Sequence, residues 1–211
     1  MISANAFQPS NVYKSVNTEK KYIALTFDDG PHPAYTQGIL DILDQYEIKA
    51  TFFIVGVNAK QAPETVKEIY NRGHQLGNHT YSHSTPKTSA GWIDEIKKTN
   101  DVIFEITGYT PSIFRTPGGI RNKYVENATR KLNMPLILWN VDTRDWAHSS
   151  VDEIVSNIKR NTKSGSIILC HDYITKNSPT PQALKKIIPH LLDQGYTFLT
   201  INELLQTEDR F

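Results

Sequence analysis

A single cysteine, Cys170, among 211 residues leaves no partner for an intramolecular disulfide, so covalent cross-links do not hold this fold together and cysteine usage does not fix its compartment. Neither sign of charge is in excess: 23 lysines and arginines face 22 aspartates and glutamates, for a formal net charge of +1. That balance argues against an extended nucleic-acid surface and for a neutral or mixed-charge partner. No apolar run is long enough to span a bilayer. Internal repeats, low-complexity tracts and linkers are also missing, which points to one domain. With 38% hydrophobic and 21% charged residues the composition is that of a globular chain, and the length suffices for an α/β barrel with a full core.

The first 20 residues are polar and aperiodic, and are expected as a surface arm. Ser3-Ala4-Asn5-Ala6-Phe7 contains a small-x-small pattern like a signal-peptidase site, with no charged or apolar stretch before it. It is either the remnant of an export signal or a chance match.

From Tyr22 onward strands and helices alternate. Apolar runs predict strands at Tyr22–Phe27, Thr51–Val55, Gln75–Gly77, Ile113–Phe114, Leu136–Trp139, Ser166–Cys170 and Tyr196–Leu199. Between them, apolar residues at helical spacing predict amphipathic helices. One carries Ile39, Leu40, Leu43 and Tyr46; the next has Pro63 near its start, Val66, Ile69 and Tyr70 inward, and Gly73 as its stop. A long helix runs from Ser89 to Thr107, ended by Gly108, and another from Lys123 to Leu132. Ser150 and Glu153 form a capping box, and Thr180-Pro181 opens a helix carrying Leu184, Ile187, Ile188, Leu191 and Leu192, in which Pro189 predicts a kink. Thr200 caps a short last helix. Seven strand–helix units imply a parallel sheet covered by helices. An eightfold barrel needs one more unit, so the expectation is an incomplete, distorted (β/α)7 barrel, with an open doubly wound sheet as the alternative.

In parallel α/β folds chemistry gathers at the carboxyl ends of the strands. Five of the seven strand ends here carry titratable groups: Asp28-Asp29, His79 with His83, Arg115, Asp142 with Asp145, and His171-Asp172. Adjacent strand residues point to opposite faces, so Asp28 and Asp29 can share a site only if the backbone bends there, and Gly30-Pro31 supplies a bend. His79 and His83 are four apart, which on a helical turn puts both imidazoles on one face. With Asp29 as third ligand they make a His-His-carboxylate set for a divalent metal, zinc first, with cobalt, nickel or iron acceptable to the same donors. Such an ion lowers the pKa of water from ~15.7 toward roughly 7 and polarises a carbonyl. Asp28 is placed to act as general base, oriented by Arg115. His171, of a residue type titrating near ~6.5, is placed as general acid, held by Asp142. Pro117, Gly118, Trp146 and Leu169 are the expected substrate contacts, with a backbone N–H at Gly118 or Gly119 as oxyanion donor. Cys170 is expected to point into the core.

Together the blocks Thr26-Phe27-Asp28-Asp29-Gly30, His79-Thr80-Tyr81-Ser82-His83, Arg115-Thr116-Pro117-Gly118-Gly119, Asp142-Thr143-Arg144-Asp145-Trp146 and Leu169-Cys170-His171 resemble the polysaccharide deacetylase family, the carbohydrate esterases that include chitin, chitooligosaccharide, xylan and peptidoglycan deacetylases. The match runs in family order from residue 21 to about 206, leaving 1–20 as an N-terminal arm and 207–211 as a tail. The resemblance implies the distorted barrel, a divalent metal on Asp29, His79 and His83, Asp28 as base and His171 as acid. Arg115 would orient Asp28, and Asp142 would support His171. The implied reaction is hydrolysis of N-acetyl groups from N-acetylglucosamine units of a peptidoglycan- or chitin-like glycan. The third block departs from the family, many of whose members have Pro and Tyr where this chain has Thr116 and Gly118. Two alternatives stay open: an O-acetyl xylan esterase with the same machinery, and a glycan-binding module without catalysis. The family is mostly exported, which favours the export-signal reading and an extracytoplasmic, secreted or cell-wall location. A monomer is expected.

Overall fold

The computed structural model describes residues 12–147, 149–173 and 178–209. The Ala4-Asn5-Ala6 pattern and the end of the expected tail lie outside the described residues. In chain order the first half comprises β1 (Val12–Tyr13), β2 (Tyr22–Asp28), α1 (Tyr35–Gln45), β3 (Thr51–Ile54), α2 (Gly56–Gln61), α3 (Pro63–Asn71), β4 (Gln75–Asn78) and α4 (Ser89–Thr107). The second half comprises α5 (Lys123–Leu132), β5 (Leu136–Ile137), β6 (Val141–Asp142), α6 (Val151–Asn161), β7 (Ile167–His171), α7 (Thr180–Asp193), β8 (Thr197–Phe198) and α8 (Ile201–Gln206).

β2 is the centre of the sheet, and its last six residues are all buried. Burial on both faces is why it reads as an unbroken apolar run rather than an alternating one. β7 pairs with it in parallel from Ala24 to Asp28, and β3 from Thr26 to Asp28. The ladder extends to β4 beyond β3 and to β6 beyond β7, while β8 pairs the start of β2 at Tyr22 and Ile23. Phe114 bridges Asn78 of β4 to Leu136 of β5, and β5 pairs β1. Every strand pairing is parallel. The result is a distorted barrel whose ladder is interrupted between β5 and β6, where the chain itself passes from one strand to the next. The strand expected at Leu136–Trp139 is only its first half, Leu136–Ile137, which pairs with β1; a second short strand, β6, follows beyond Trp139 and pairs with β7.

Helices cover the outside. Leu40 and Leu43 of α1, Ile154 and Ile158 of α6, and Leu184, Ile187 and Ile188 of α7 pack on Leu25, Phe27, Ile168 and Cys170 in one apolar cluster. Cys170 is buried there, under the helices. α4 and α5 have the expected bounds; Thr88 caps α4 and Gly108 closes it in the left-handed region. The expected capping box of Ser150 with Glu153 is formed, and Thr200, expected to cap the last helix, does so in a second box with Glu203. α7 continues through Pro189. Tyr70, expected inward, is exposed at the helix–solvent boundary, and so is Leu192 of α7. α2 has no counterpart in the expectations, since its residues lack an apolar period and no side chain caps it.

Part of the supposed surface arm belongs to the body. Val12 and Tyr13 form a strand, and Tyr13 and Val16 are buried. Val16 N–H donates to the Gly165 carbonyl at 2.9 Å, so the two backbones touch. Gly165 has φ +75°, and a Cβ there would fall 1.7 Å from the Val16 carbonyl oxygen. Gly165→Ala is therefore expected to destabilise the protein by roughly 2 kcal/mol or more, from strain plus displacement of the N-terminal segment. Thermal unfolding measures this; an unchanged midpoint would mean the segment is not packed as described.

Candidate active site

The two carboxylates at the end of β2 do share a site. The expectation placed the bend at Gly30-Pro31; the residue in the left-handed region is Asp29 itself, at φ +76°. Asn58 Nδ2 donates to the Asp29 carbonyl at 2.7 Å and holds the bend. Gly30 N–H donates to Asp172 Oδ1 at 3.0 Å, and Thr36 Oγ1 donates to Asp172 Oδ2 at 2.6 Å. A Cβ on Gly30 would lie 2.1 Å from Asp172 Oδ2, so glycine is what lets the loop rest on that carboxylate. Burial pushes the Asp172 carboxyl up to about 7, against the hydrogen bond from Thr36.

His79 and His83 are not on a helical turn. They lie in an irregular loop with Thr80 at φ +68° and His83 at φ +54°. Side chains take the place of helical hydrogen bonds. Asn78 Oδ1 accepts from Thr80 N–H while its Nδ2 donates to the Ile96 carbonyl and Asn100. Glu95 of α4 accepts from Tyr81 N–H and from the backbone and hydroxyl of Ser82. The loop still delivers both imidazoles to Asp29: His79 Nε2 is 3.3 Å and His83 Nε2 3.0 Å from Asp29 Oδ1. One ligand atom from each of the three lies within 4.8 Å of the others.

This donor set fits a divalent cation. His79 Nδ1 lies 2.9 Å from the Arg115 carbonyl, which can only accept, so Nδ1 carries the hydrogen and Nε2 is left to face Asp29. Burial would raise the Asp29 carboxyl, but the two imidazoles that face it hold it far below the usual carboxylate range. His83 is raised from its ordinary value, first by that hydrogen bond. The carboxylate thus stays anionic and draws positive charge toward itself.

Asp28 is pinned from beside. Arg115 is fully buried, and its Nη1 donates to Asp28 Oδ1 at 2.7 Å and to Thr26 Oγ1 at 2.8 Å. Its Nε and Nη2 donate to the carbonyls of Ile137 and Leu138, and its plane lies 4.1 Å from the Phe53 ring centroid. A guanidinium with every edge occupied has one orientation available. Asp28 Oδ2 is left facing the site, 3.8 Å from His79 Nε2.

On the neighbouring strand β7, His171 is the register partner of Asp28. Its expected support was Asp142, and this is corrected: Asp142 Oδ1 accepts from Arg144 N–H at 2.8 Å and caps the turn. The carboxylate on His171 is Asp145, fully buried, with Oδ1 at 2.7 Å from His171 Nδ1. Asp145 also accepts from His171 N–H, Trp146 N–H and Thr180 Oγ1. Burial lowers His171, but the Asp145 hydrogen bond and charge, with Asp28 and Asp29 behind it, raise it to about 9. Asp145 stands in the same sequence block as Asp142; the three-residue spacing gave no ground for choosing between them.

Among the expected substrate contacts, Trp146 is 52% exposed beside His171's partner. Gly118 has φ +62° in the turn of Pro117–Gly119. Pro117 is buried, and Leu169 is only 2% exposed, two residues before His171 on the same face of β7.

A His-His-carboxylate set beside one pinned carboxylate and one pinned imidazole, at the carboxyl mouth of a parallel barrel, defines a metal-assisted hydrolase. Residues 15–137 match the model of the polysaccharide deacetylase family, and the chain belongs to that family. A peptidoglycan-N-acetylglucosamine deacetylase of Bacillus cereus is 42% identical over 198 residues, covering 90% of this chain and 91% of that one. The crystal structure of a peptidoglycan N-acetylglucosamine deacetylase in complex with an N-oxidanyl-benzamide superposes with a TM-score of 0.87 at 37% identity, covering 93% of this chain and 94% of its own. A family 4 acetyl xylan esterase from Clostridium thermocellum, in complex with a cobalt ion, superposes with a TM-score of 0.82 at 33% identity, covering 88% and 90%.

Proposed function

We propose that this protein removes N-acetyl groups from N-acetylglucosamine units of a glycan, peptidoglycan before chitin, releasing acetate and leaving glucosamine units. The observation that carries the reading is Asp28, fixed by Arg115, and its register partner His171, fixed by Asp145, at the same strand ends as the cluster of Asp29, His79 and His83.

Asp29, His79 and His83 would hold the metal, zinc first, with cobalt, nickel or iron also suited to these donors. A divalent ion there supplies Lewis acidity toward the acetyl carbonyl and toward water. Asp28 Oδ2, the oxygen that Arg115 leaves free, takes the proton of the attacking water. As the water oxygen bonds to the carbonyl carbon, the Gly118 N–H faces the developing oxyanion. His171, an imidazolium at neutral pH, then gives its proton to the departing amine as the C–N bond breaks. Asp145 takes up the other ring nitrogen, so Nε2 is the donor. Trp146 offers apolar surface to the sugar or the acetyl methyl, and Leu169 and Pro117 are further substrate contacts. The catalytic domain covers residues 21–206, with residues 12–16 packed against it, and works as a monomer outside the cytoplasm, where peptidoglycan lies.

Acetate release tests the reading, with and without chelator, on N-acetylglucosamine oligomers, peptidoglycan and acetylated xylan. Metal-dependent release from the amides is expected. Release from xylan alone would move the reaction to ester hydrolysis, the activity named for the cobalt-bound structural relative. His79→Ala is expected to lose the metal, measured as metal per protein; a full equivalent retained would show that the ligand set is wrong.

A further inference from the structure

Lys14 is the one charged residue that the N-terminal segment brings to the wall of a cavity beside the catalytic mouth. β1 runs parallel to β5 with Tyr13 opposite Ile137, and Leu138 N–H donates to the Tyr13 carbonyl at 2.7 Å. Lys14 therefore emerges at the carboxyl end of the strands, the end that carries Asp28 and His171. There it lines a cavity of about 210 Å³ with Gly118, Gly119, Leu138 and Trp139. Gly119 lies bare against the indole, since a Cβ there would come within 2.7 Å of Trp139 Cη2. The cavity adjoins the catalytic machinery through one side chain. Arg115, which pins Asp28, donates to the Leu138 carbonyl at 3.1 Å and lies 5.6 Å from the Trp139 ring.

Lys14 is exposed, and no carboxylate among the described residues pairs with it. Among the described residues only lysines 49, 67, 98 and 186 have an acidic partner within 4.0 Å, so what sets Lys14 apart is its place on the cavity wall and not its lack of a partner. The cavity is smaller than the roughly 300–1,000 Å³ that takes a whole drug-sized ligand, so it suits one unit or substituent of a longer chain. Its wall offers an aromatic face, open backbone and one uncompensated ammonium.

We infer that this cavity is a subsite for a carboxylate-bearing unit next to the N-acetylglucosamine being deacetylated, with Lys14 as the carboxylate's partner. The inference rests on the deacetylase reading and sharpens it. A chitin chain offers only neutral units, whereas alternate units of peptidoglycan bear a lactyl ether whose carboxylate is free or extended by an acidic peptide. Lys14 is then a specificity determinant that favours the acidic polymer, through an exposed ion pair that salt weakens.

The test compares wild type, Lys14→Gln and Lys14→Arg. Each is assayed on N-acetylglucosamine oligomers, peptide-free peptidoglycan strands and peptide-bearing strands. The quantity read is the ratio of kcat/KM on acidic strands to that on the neutral oligomer. Lys14→Gln is expected to lower this ratio by up to about fivefold, the upper end of the range for an exposed ion pair, while Lys14→Arg retains it. Raising salt is expected to lower the ratio in wild type and leave it level in Lys14→Gln. A loss seen with peptide-free strands places the lactyl carboxylate at Lys14; a loss confined to peptide-bearing strands places the peptide carboxylate there. An unchanged ratio in Lys14→Gln on both acidic substrates overturns the inference. Should wild type release no acetate from any substrate, the deacetylase reading fails on its own. Calorimetric binding of the same strands then decides the subsite: tighter binding by wild type than by Lys14→Gln supports it, and equal affinities overturn it.

Discussion

Asp28→Asn is expected to reduce acetate release by roughly a hundredfold to ten-thousandfold, the contribution of a positioned general base, while the protein keeps its metal. The substitution is chosen to isolate one property. Asparagine has the shape of aspartate and still offers an oxygen to Arg115 Nη1, so the buried guanidinium keeps an acceptor. A leucine at the same position would leave that guanidinium, fully buried, without its carboxylate, at a cost of about 3–5 kcal/mol from the unpaired charge. Activity lost in that protein would report unfolding as much as chemistry. In Asp28→Asn the proposed metal ligands Asp29, His79 and His83 are untouched, and only the proton acceptor is gone. The measurements are metal content, thermal midpoint and turnover on one preparation. Near-normal turnover with metal bound would sink the assignment of Asp28 as base.

The second large effect concerns His171. Asp145→Asn is expected to lower kcat/KM roughly tenfold to a hundredfold, the usual loss when a carboxylate that orients a working histidine is removed. Its pH dependence is the sharper readout. With Asp145 in place His171 titrates near about 9, against an ordinary value of 6.5, although burial pulls the other way. The imidazolium, the form that can donate a proton, therefore persists through neutral pH. Without the Asp145 charge and hydrogen bond, burial is left with less opposition, and the pKa falls. The alkaline limb of the kcat/KM profile is then expected to move toward neutral pH. Asp142→Asn should leave that limb in place, because Asp142 caps the turn at Arg144 and does not touch His171. An alkaline limb shifted by Asp142→Asn and not by Asp145→Asn would reverse the correction. The same raised pKa has a consequence for stability. The pair's contribution is fully present below the unfolded-state value of ~6.5 and is lost as pH rises through about 9.

What could be read from the sequence by itself was the parallel α/β architecture and the end of it that carries the chemistry. Each apolar run stops at a polar block, and parallel strands joined by helices must all point the same way, so Asp28, His79, Arg115 and His171 fall at one mouth whatever the details of the barrel. The bounds of α4 were readable because Thr88 and Gly108 act locally on the backbone beside them. The tertiary structure decided what depends on distant partners. β1 is two residues with no period of their own, and it becomes a strand only because β5 offers an edge and Gly165 lets Val16 approach. The loop from His79 to His83 is not helical because Asn78 and Glu95 satisfy its amides from outside it. Asp145 rather than Asp142 reaches His171 because the backbone turns through the left-handed region at Arg144, φ +57°, and Thr180 of α7 holds the buried carboxylate in place. Sequence spacing carries the reach of a side chain along its own strand or helix; which of two nearby carboxylates meets the imidazole on the next strand is set by a loop dihedral and by a hydroxyl 35 residues away.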